Sequence, residues 1–166
     1  AKDYVNAIKM YEVVAAKGPS RYFERSALEL AQLNYFEIKD YAKSKTYFEL
    51  LRRNAASQES QLEALRGLVR CNYQLKDYTN ANEVAKELLA RKGISTDDKA
   101  IGYLVLGKSQ QLNNDCTAAI ASFKSAASIN KSAWGAEARY EHAACLFAAS
   151  NLTQAEKVAL SVIRET

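Results

Sequence analysis

Apolar residues recur along this chain with the spacing of amphipathic helices rather than of strands. Ala81, Ala85 and Leu88, for example, stand at i, i+4 and i+7, which places them on one helical face. Similar apolar stripes, separated by short polar segments, follow one another through the rest of the chain. The pattern predicts nine helices, at residues 3–16, 21–38, 41–53, 58–75, 78–91, 97–112, 116–129, 133–149 and 152–164.

The same pattern repeats at a nearly constant interval. Lys-Asp-Tyr occurs at 2–4, 39–41 and 76–78, and degenerate copies follow at 114–116 and 150–152. The third residues of successive copies are therefore 37, 37, 38 and 36 positions apart. A fixed period in this range is typical of stacked supersecondary units, none of which buries its apolar face alone. We expect such a chain to offer an extended surface rather than a catalytic cleft.

Each predicted helix pair carries two further columns on its second helix. A small residue stands three positions after the turn, at Ala7, Ser44, Ala81, Ala119 and Ala155. The residue four positions later is Tyr11, Phe48, Ala85, Phe123 or Ala159. A small side chain in the first column lets the paired helix approach closely, and the larger residue one turn on fills the space beside it.

Composition and charge agree with a helical interaction domain. The chain has 166 residues, of which 48% are hydrophobic, and it contains 6 Gly and 1 Pro. So few turn residues favour an all-α fold, and the length predicts one domain over residues 1–166. The net charge of +4 is spread over 23 basic and 19 acidic residues, which indicates a solvated surface rather than a nucleic-acid-binding stripe. No stretch of 18 apolar residues occurs, so we expect no membrane insertion.

Residues for catalysis or metal binding are sparse. His142 is the one histidine, so any Ser-His-Asp or Cys-His arrangement would have to use it, and its Ala and Cys neighbours favour a packed imidazole. The three cysteines lack the spacing of a zinc site and are typical of reduced thiols. The glycines are isolated and form no phosphate-binding loop. We therefore expect no enzyme activity and no cofactor.

Residues at fixed places in the repeat resemble the motif of tetratricopeptide-repeat (TPR) proteins. Besides the small and aromatic columns, the matching positions are Leu106-Gly107, Tyr35, Asp40-Tyr41, Asp77-Tyr78 and Pro19. The resemblance covers nearly the whole chain. It implies a right-handed α-solenoid of antiparallel helix pairs, here with a repeat of about 37 residues instead of 34.

The chain departs from the motif at the turn, where Lys39, Lys76, Asn114 and Ser150 stand in place of Gly. Two other α-solenoids have compatible periods. Sel1-like repeats are richer in Ala and Gly than this chain. Pentatricopeptide repeats read RNA one base per repeat, but they lack the Asp-Tyr-x-x-Ala signature.

The TPR resemblance also implies where a partner would bind, because the first helix of each TPR pair lines the concave surface. The columns that face it correspond here to Phe36, Arg66, Arg70, Tyr73, Lys108, Gln111, Tyr140 and Phe147. Arg66 and Arg70 stand at i and i+4, and Lys108 follows one repeat later in the column of Arg70. A basic centre flanked by aromatics would hold an acidic or aromatic peptide segment. In the alternative interpretation the aromatics pack between helices and the cations are merely solvated.

These patterns predict a non-enzymatic scaffold that binds a peptide segment or a partner protein. The repeats as an arm of a larger enzyme, or as an RNA-binding helical-repeat protein, are the alternatives. The first and last predicted helices, 3–16 and 152–164, are both of the second type and lack a capping partner. We therefore expect a fragment of a longer repeat protein or self-association through the uncapped ends.

Overall fold

The computed structural model describes residues 4–18, 20, 22–129 and 132–164, and within these residues it contains helices and no strand. The all-α prediction is confirmed. The helix bounds lie within two residues of those predicted, with two exceptions. The second α-helix ends at Gln32, six residues before the predicted end, and the predicted starts at residues 3 and 21 lie outside the described residues. The helices are α1 Tyr4–Ala16, α2 Phe23–Gln32, α3 Tyr41–Asn54, α4 Gln58–Gln74, α5 Tyr78–Leu89, α6 Thr96–Leu112, α7 Cys116–Ala127, α8 Ala133–Ala148 and α9 Leu152–Arg164.

The helices pack in sequence within two compact units. In the first unit, Ala1–Asp77, each helix from α1 to α4 packs against the next, and α2 also contacts α4. In the second unit, Tyr78–Thr166, α5 to α9 pack in the same way, and α6 also contacts α8. We call α2, α4, α6 and α8 the first helices and the others the second helices. In each unit, therefore, two first helices lie side by side.

The first helices end in a recurring turn, with a residue in the left-handed region. The residues with φ between 58° and 61° are Lys39, Lys76, Asn114 and Ser150. The amide of Lys76 donates to the Tyr73 carbonyl at 3.0 Å, and the amide of Asp77 donates to the Asn72 carbonyl at 2.9 Å. Asn114 and Ser150 repeat this pair of bonds, which defines a Schellman motif. These are the positions where the TPR motif has Gly, which adopts a positive φ without steric cost.

The residue after each left-handed position directly precedes the next helix, and two such residues, Asp40 and Asp115, cap it. The Oδ1 atom of Asp40 accepts a hydrogen bond from the Lys43 amide at 3.0 Å, and Asp115 does the same for Ala118 at 3.0 Å. Such N-caps satisfy amides that have no partner inside the helix. The repeated tripeptide therefore has a structural explanation, because its first residue ends one helix and its second starts the following one.

Most members of the small and aromatic columns lie in the core, although Ala7 and Tyr11 are half-buried and Ala159 is exposed. Ala81, Ala119 and Phe123 are fully buried, and Phe48 is nearly so. A Cβ atom built on Gly107 would lie 2.4 Å from the ring of Phe123, and one on Gly67 would lie 2.3 Å from the ring of Phe48. Each ring therefore lies directly on the backbone of a first helix, in the space that the missing side chain leaves.

The predicted helix 21–38 is not continuous α-helix, which corrects the sequence analysis. After α2 ends at Gln32, the chain continues as a π-helical segment, Leu33–Ile38. Buried Asn34 donates from its side-chain Nδ2 to the Leu30 carbonyl at 2.8 Å, and this is the acceptor that its own amide would use in an α-helix. The π-helical segment carries Phe36, one of the predicted binding residues. Such segments are frequent at functional sites.

Candidate partner-binding surfaces

A cavity of about 80 Å³ in the first unit brings together three of the predicted binding residues, Phe36, Arg66 and Arg70. It lies between the π-helical segment, α3 and α4 and is lined by Gln32, Tyr35, Phe36, Phe48, Glu63, Arg66, Gly67 and Arg70. We call it the arginine pocket. Its floor includes the ring of Phe48 on Gly67, so the core packing of α3 and α4 fixes the position of the two arginines.

Phe36 supplies the aromatic wall of the arginine pocket. Its ring is 58% exposed and meets the ring of Tyr35 edge-on, with 4.9 Å between centroids. Tyr35 contacts Tyr41 in the same way at 5.2 Å. Burial raises the pKa of Tyr35, so its hydroxyl stays protonated at neutral pH. An exposed ring held by aromatic neighbours offers apolar contact at little entropic cost.

The charged residues that line the arginine pocket are Glu63, Arg66 and Arg70. The Arg66 Nη1 atom lies 2.5 Å from the Glu63 Oε1 atom, one turn earlier on α4. Arg70 is partly buried on the same face, and Tyr73 follows at the last turn of the helix, also partly buried. The pocket lining therefore offers guanidinium groups, which bind carboxylates through paired hydrogen bonds.

Lys108 and Gln111, both predicted to face a partner, join two helices of the second unit. The Lys108 Nζ atom lies 2.5 Å from the Glu141 Oε1 atom, and the two side chains are 16% and 14% exposed. The Gln111 Nε2 atom donates to the Cys145 Sγ atom at 3.5 Å. Both contacts run from α6 to α8. The positive charge of Lys108 is therefore neutralised within the unit.

Tyr140 and Phe147 lie on an apolar groove between α8 and α9. Their side chains are 66% and 68% exposed. The groove has a volume of about 700 Å³ and is lined by Tyr140, Ala143, Ala144, Phe147, Leu152, Ala155, Glu156 and Ala159. We call it the α8/α9 groove. In the part of this lining that the structure describes, Glu156 is the one charged residue.

An acidic residue near the start of α2 or α6 accepts hydrogen bonds from the residues at the start of α4 or α8, respectively. The sequence analysis missed these contacts. Glu24 accepts hydrogen bonds from the Ala56 amide at 2.6 Å and from the Ser57 hydroxyl at 2.7 Å. In the second unit Asp97 accepts from the Ser132 hydroxyl at 2.8 Å and from the Trp134 indole at 3.2 Å. Acids in a first turn are commonly explained by the helix dipole, so no separate sequence signal pointed to this contact.

The contacts of Glu24 predict a pH-dependent contribution to stability. Hydrogen bonds from Ser60 and Ser57 lower the pKa of Glu24 from 4.5 to about 2. Because the pKa is lower in the folded chain, the stabilisation is complete above pH 4.5 and is lost as the pH falls towards 2. We expect Glu24→Gln to lower the free energy of unfolding at pH 7 by about 0.5–1 kcal/mol, since Glu24 lies near the surface.

Urea unfolding at pH 7, 4.5 and 3 measures this effect. The difference between Glu24→Gln and the unchanged chain should shrink as the pH falls. Glu59→Gln is the matched control, because Glu59 is an exposed acid in the first turn of α4. If the two variants lost the same stability at every pH, the assigned contact of Glu24 would be wrong.

Cys71 and Cys145 are in environments that suppress the reactivity of their thiols. All three cysteines are free thiols, and burial raises the pKa of Cys71 to about 11. Burial also raises the pKa of Cys145, and Cys71 donates to the Ser44 hydroxyl at 3.3 Å. Burial and Lys124 lower the pKa of His142, so the imidazole is neutral at pH 7. A thiol with a raised pKa carries little thiolate, which is the nucleophilic form.

In the part of the chain that the structure describes, no group of three or more His, Cys, Asp or Glu side chains could hold a metal ion. No helix among the described residues is both long enough and apolar enough to cross a membrane.

Compared with models of known protein families, the chain matches none, and no curated protein is significantly similar to it. The geometry of the two units is therefore the basis for assigning a function.

Proposed function

We propose that this chain is a non-enzymatic, TPR-like scaffold that binds a partner protein through its first helices. The repeat of about 37 residues, the recurring Schellman turn and the buried small column support the TPR-like arrangement, a right-handed α-solenoid of helix pairs. The contacts of α2 with α4 and of α6 with α8 support it further, because adjacent first helices lie side by side in such an array.

The observation that carries the binding function is the arginine pocket. It combines an exposed ring, Phe36, with two arginines on one face of α4. Core residues hold the backbone on which all three stand, so the site is formed before a partner arrives. Aromatic and arginine side chains dominate the binding energy of protein interfaces when they are positioned in this way.

The chemistry of the pocket defines the partner. Arginine side chains beside an exposed ring suit an acidic peptide segment with an apolar or aromatic residue next to a carboxylate. A cavity of about 80 Å³ admits a small apolar side chain rather than a cofactor. We therefore propose a short linear segment of another protein as the ligand.

Selection of random peptides, displayed on phage, against the immobilised chain tests this proposal. We expect enrichment of sequences in which Asp or Glu flanks an apolar residue. A selected peptide should bind Arg66→Gln/Arg70→Gln at least ~10-fold more weakly, because each charge-assisted hydrogen bond contributes about 1.5–3 kcal/mol.

Arg52→Gln/Arg53→Gln is the matched control. It also removes two positive charges from the first unit, and Arg53 pairs with Glu49 on α3 much as Arg66 pairs with Glu63 on α4. The control should bind the selected peptides as the unchanged chain does. Equal losses in both variants, or enrichment of peptides without acidic residues, would count against the arginine pocket as the binding site.

A further inference from the structure

We propose that α1 of one copy of this chain docks into the α8/α9 groove of a second copy. This surface is separate from the arginine pocket, so the proposal goes beyond the binding of an acidic peptide. The groove is formed entirely by residues of the second unit. The helix that would fill it belongs to the first unit of the other copy.

The groove has the shape that accepts large side chains from a helix. Its floor consists of alanines, and its walls carry larger apolar side chains. The floor residues are Ala143, Ala144, Ala155 and Ala159, and the wall residues are Tyr140, Phe147 and Leu152. Small residues between ridges of larger ones form the holes into which side chains of a facing helix insert.

The exposed face of α1 carries the complementary side chains. Its members follow the i, i+3 and i+4 spacing of one helical face. They are Asn6, Lys9, Met10, Val13, Ala16 and Lys17, and Lys17 lies just beyond the end of the helix. Met10 and Val13 are 73% and 59% exposed, although both are large apolar residues. Met10 and Val13 can therefore insert into the groove and pack against its alanines.

The charges of the two surfaces are also complementary. Among the described residues that line the groove, Glu156 is the one that is charged. The charged members of the exposed α1 face are Lys9 and Lys17. The acid of this helix, Glu12, lies on another face, where it accepts a hydrogen bond from the Tyr47 hydroxyl at 2.6 Å. Docking would therefore bring ammonium groups to a carboxylate without bringing two acids together, which favours this pairing over contact between two grooves.

Because two different surfaces meet, the contact is heterologous. A copy whose groove is filled still presents its own α1, so association continues head to tail into rings or open chains. One short helix in a groove buries less surface than a stable dimer interface usually does. We therefore expect oligomers whose size rises with protein concentration.

Sedimentation velocity between about 1 μM and 1 mM, the range of weak to moderate affinities, tests the proposal on the chain as it is. The unchanged chain should show increasing mean mass. Met10→Asp alone and Phe147→Asp alone should each remain monomeric, because each lacks one of the two surfaces. An equimolar mixture of the two variants should form a dimer and stop there, since the intact groove of the first accepts the intact α1 of the second.

Leu112→Asp is the control, because Leu112 is a largely exposed apolar residue outside both surfaces, and this variant should associate as the unchanged chain does. A chain that stays monomeric throughout, or Met10→Asp that still associates alone, would overturn the proposal. Should an aspartate variant unfold, Glu156→Lys provides a milder test. It should weaken association at least ~5-fold, and adding Lys9→Glu/Lys17→Glu to the same chain should restore association. Failure of this charge exchange in folded proteins would also overturn the proposal.

Discussion

Replacement of Phe123 by alanine is expected to lower the free energy of unfolding by about 3–5 kcal/mol. The ring of Phe123 is fully buried and lies on the backbone of α6 at Gly107, where no side chain can move in to fill the space. The loss therefore includes both the transfer of the ring and the cavity that remains. Urea unfolding followed by circular dichroism measures it.

Phe147→Ala is the control for residue type. Phe147 also lies on a helix of the second unit, but its side chain is mostly exposed, so the expected change is within about 0.5 kcal/mol. The measurement is made at a concentration at which the chain is monomeric. Similar losses for Phe123→Ala and Phe147→Ala would mean that the assignment of the aromatic column to the core is wrong.

Replacement of Ala119 by leucine is expected to cost about 1–3 kcal/mol through overpacking. Ala119 is fully buried on α7, which packs against both α6 and α8. Three added carbon atoms would force these helices apart or push neighbouring side chains out of their rotamers. The effect should appear as a lower melting temperature and a lower urea midpoint.

Ala121→Leu separates this effect from helix propensity. Ala121 lies two residues away on the exposed side of α7, so a leucine there remains in solvent. Its melting temperature should stay close to that of the unchanged chain. If Ala119→Leu had the same melting temperature as Ala121→Leu, the predicted helix register would be incorrect.

The helices could be predicted from the sequence because local signals and the repeat agree. The apolar stripes defined the helices, and the repeated tripeptide marked their ends. The structure supplies the reason, since Lys76 adopts the left-handed conformation that ends α4 and Asp115 caps the start of α7. Such signals act within a few residues and repeat four times, so a single sequence was sufficient.

The π-helical segment could not be predicted in this way. It depends on the side chain of Asn34, which is buried and bonds to the Leu30 carbonyl. An asparagine in an apolar stripe is compatible with a cap, a kink or an exposed turn. Which of these structures forms depends on packing that the hydrophobic periodicity does not report. The position of Phe36 relative to Arg66 and Arg70 therefore could not be predicted from the sequence either.

The predicted binding residues illustrate the same limit. Repeat columns placed Lys108 and Arg70 in equivalent positions, and both lie on first helices. Their environments differ because Glu141 on the next first helix neutralises Lys108, whereas Arg70 borders the arginine pocket. The position of a residue in the repeat predicts which face of its helix it occupies. The side chain that it contacts belongs to another repeat, and that side chain differs between repeats.

Photo-crosslinking of a selected acidic peptide tests the central proposal, binding through the first helices, most directly. A benzophenone-bearing amino acid is placed at Phe36 in one protein and at Ala42, an exposed position on the second helix α3, in another. The proposal predicts that the peptide crosslinks at position 36 and that Arg66→Gln/Arg70→Gln abolishes this product. Crosslinking at position 42 and not at position 36 would contradict it.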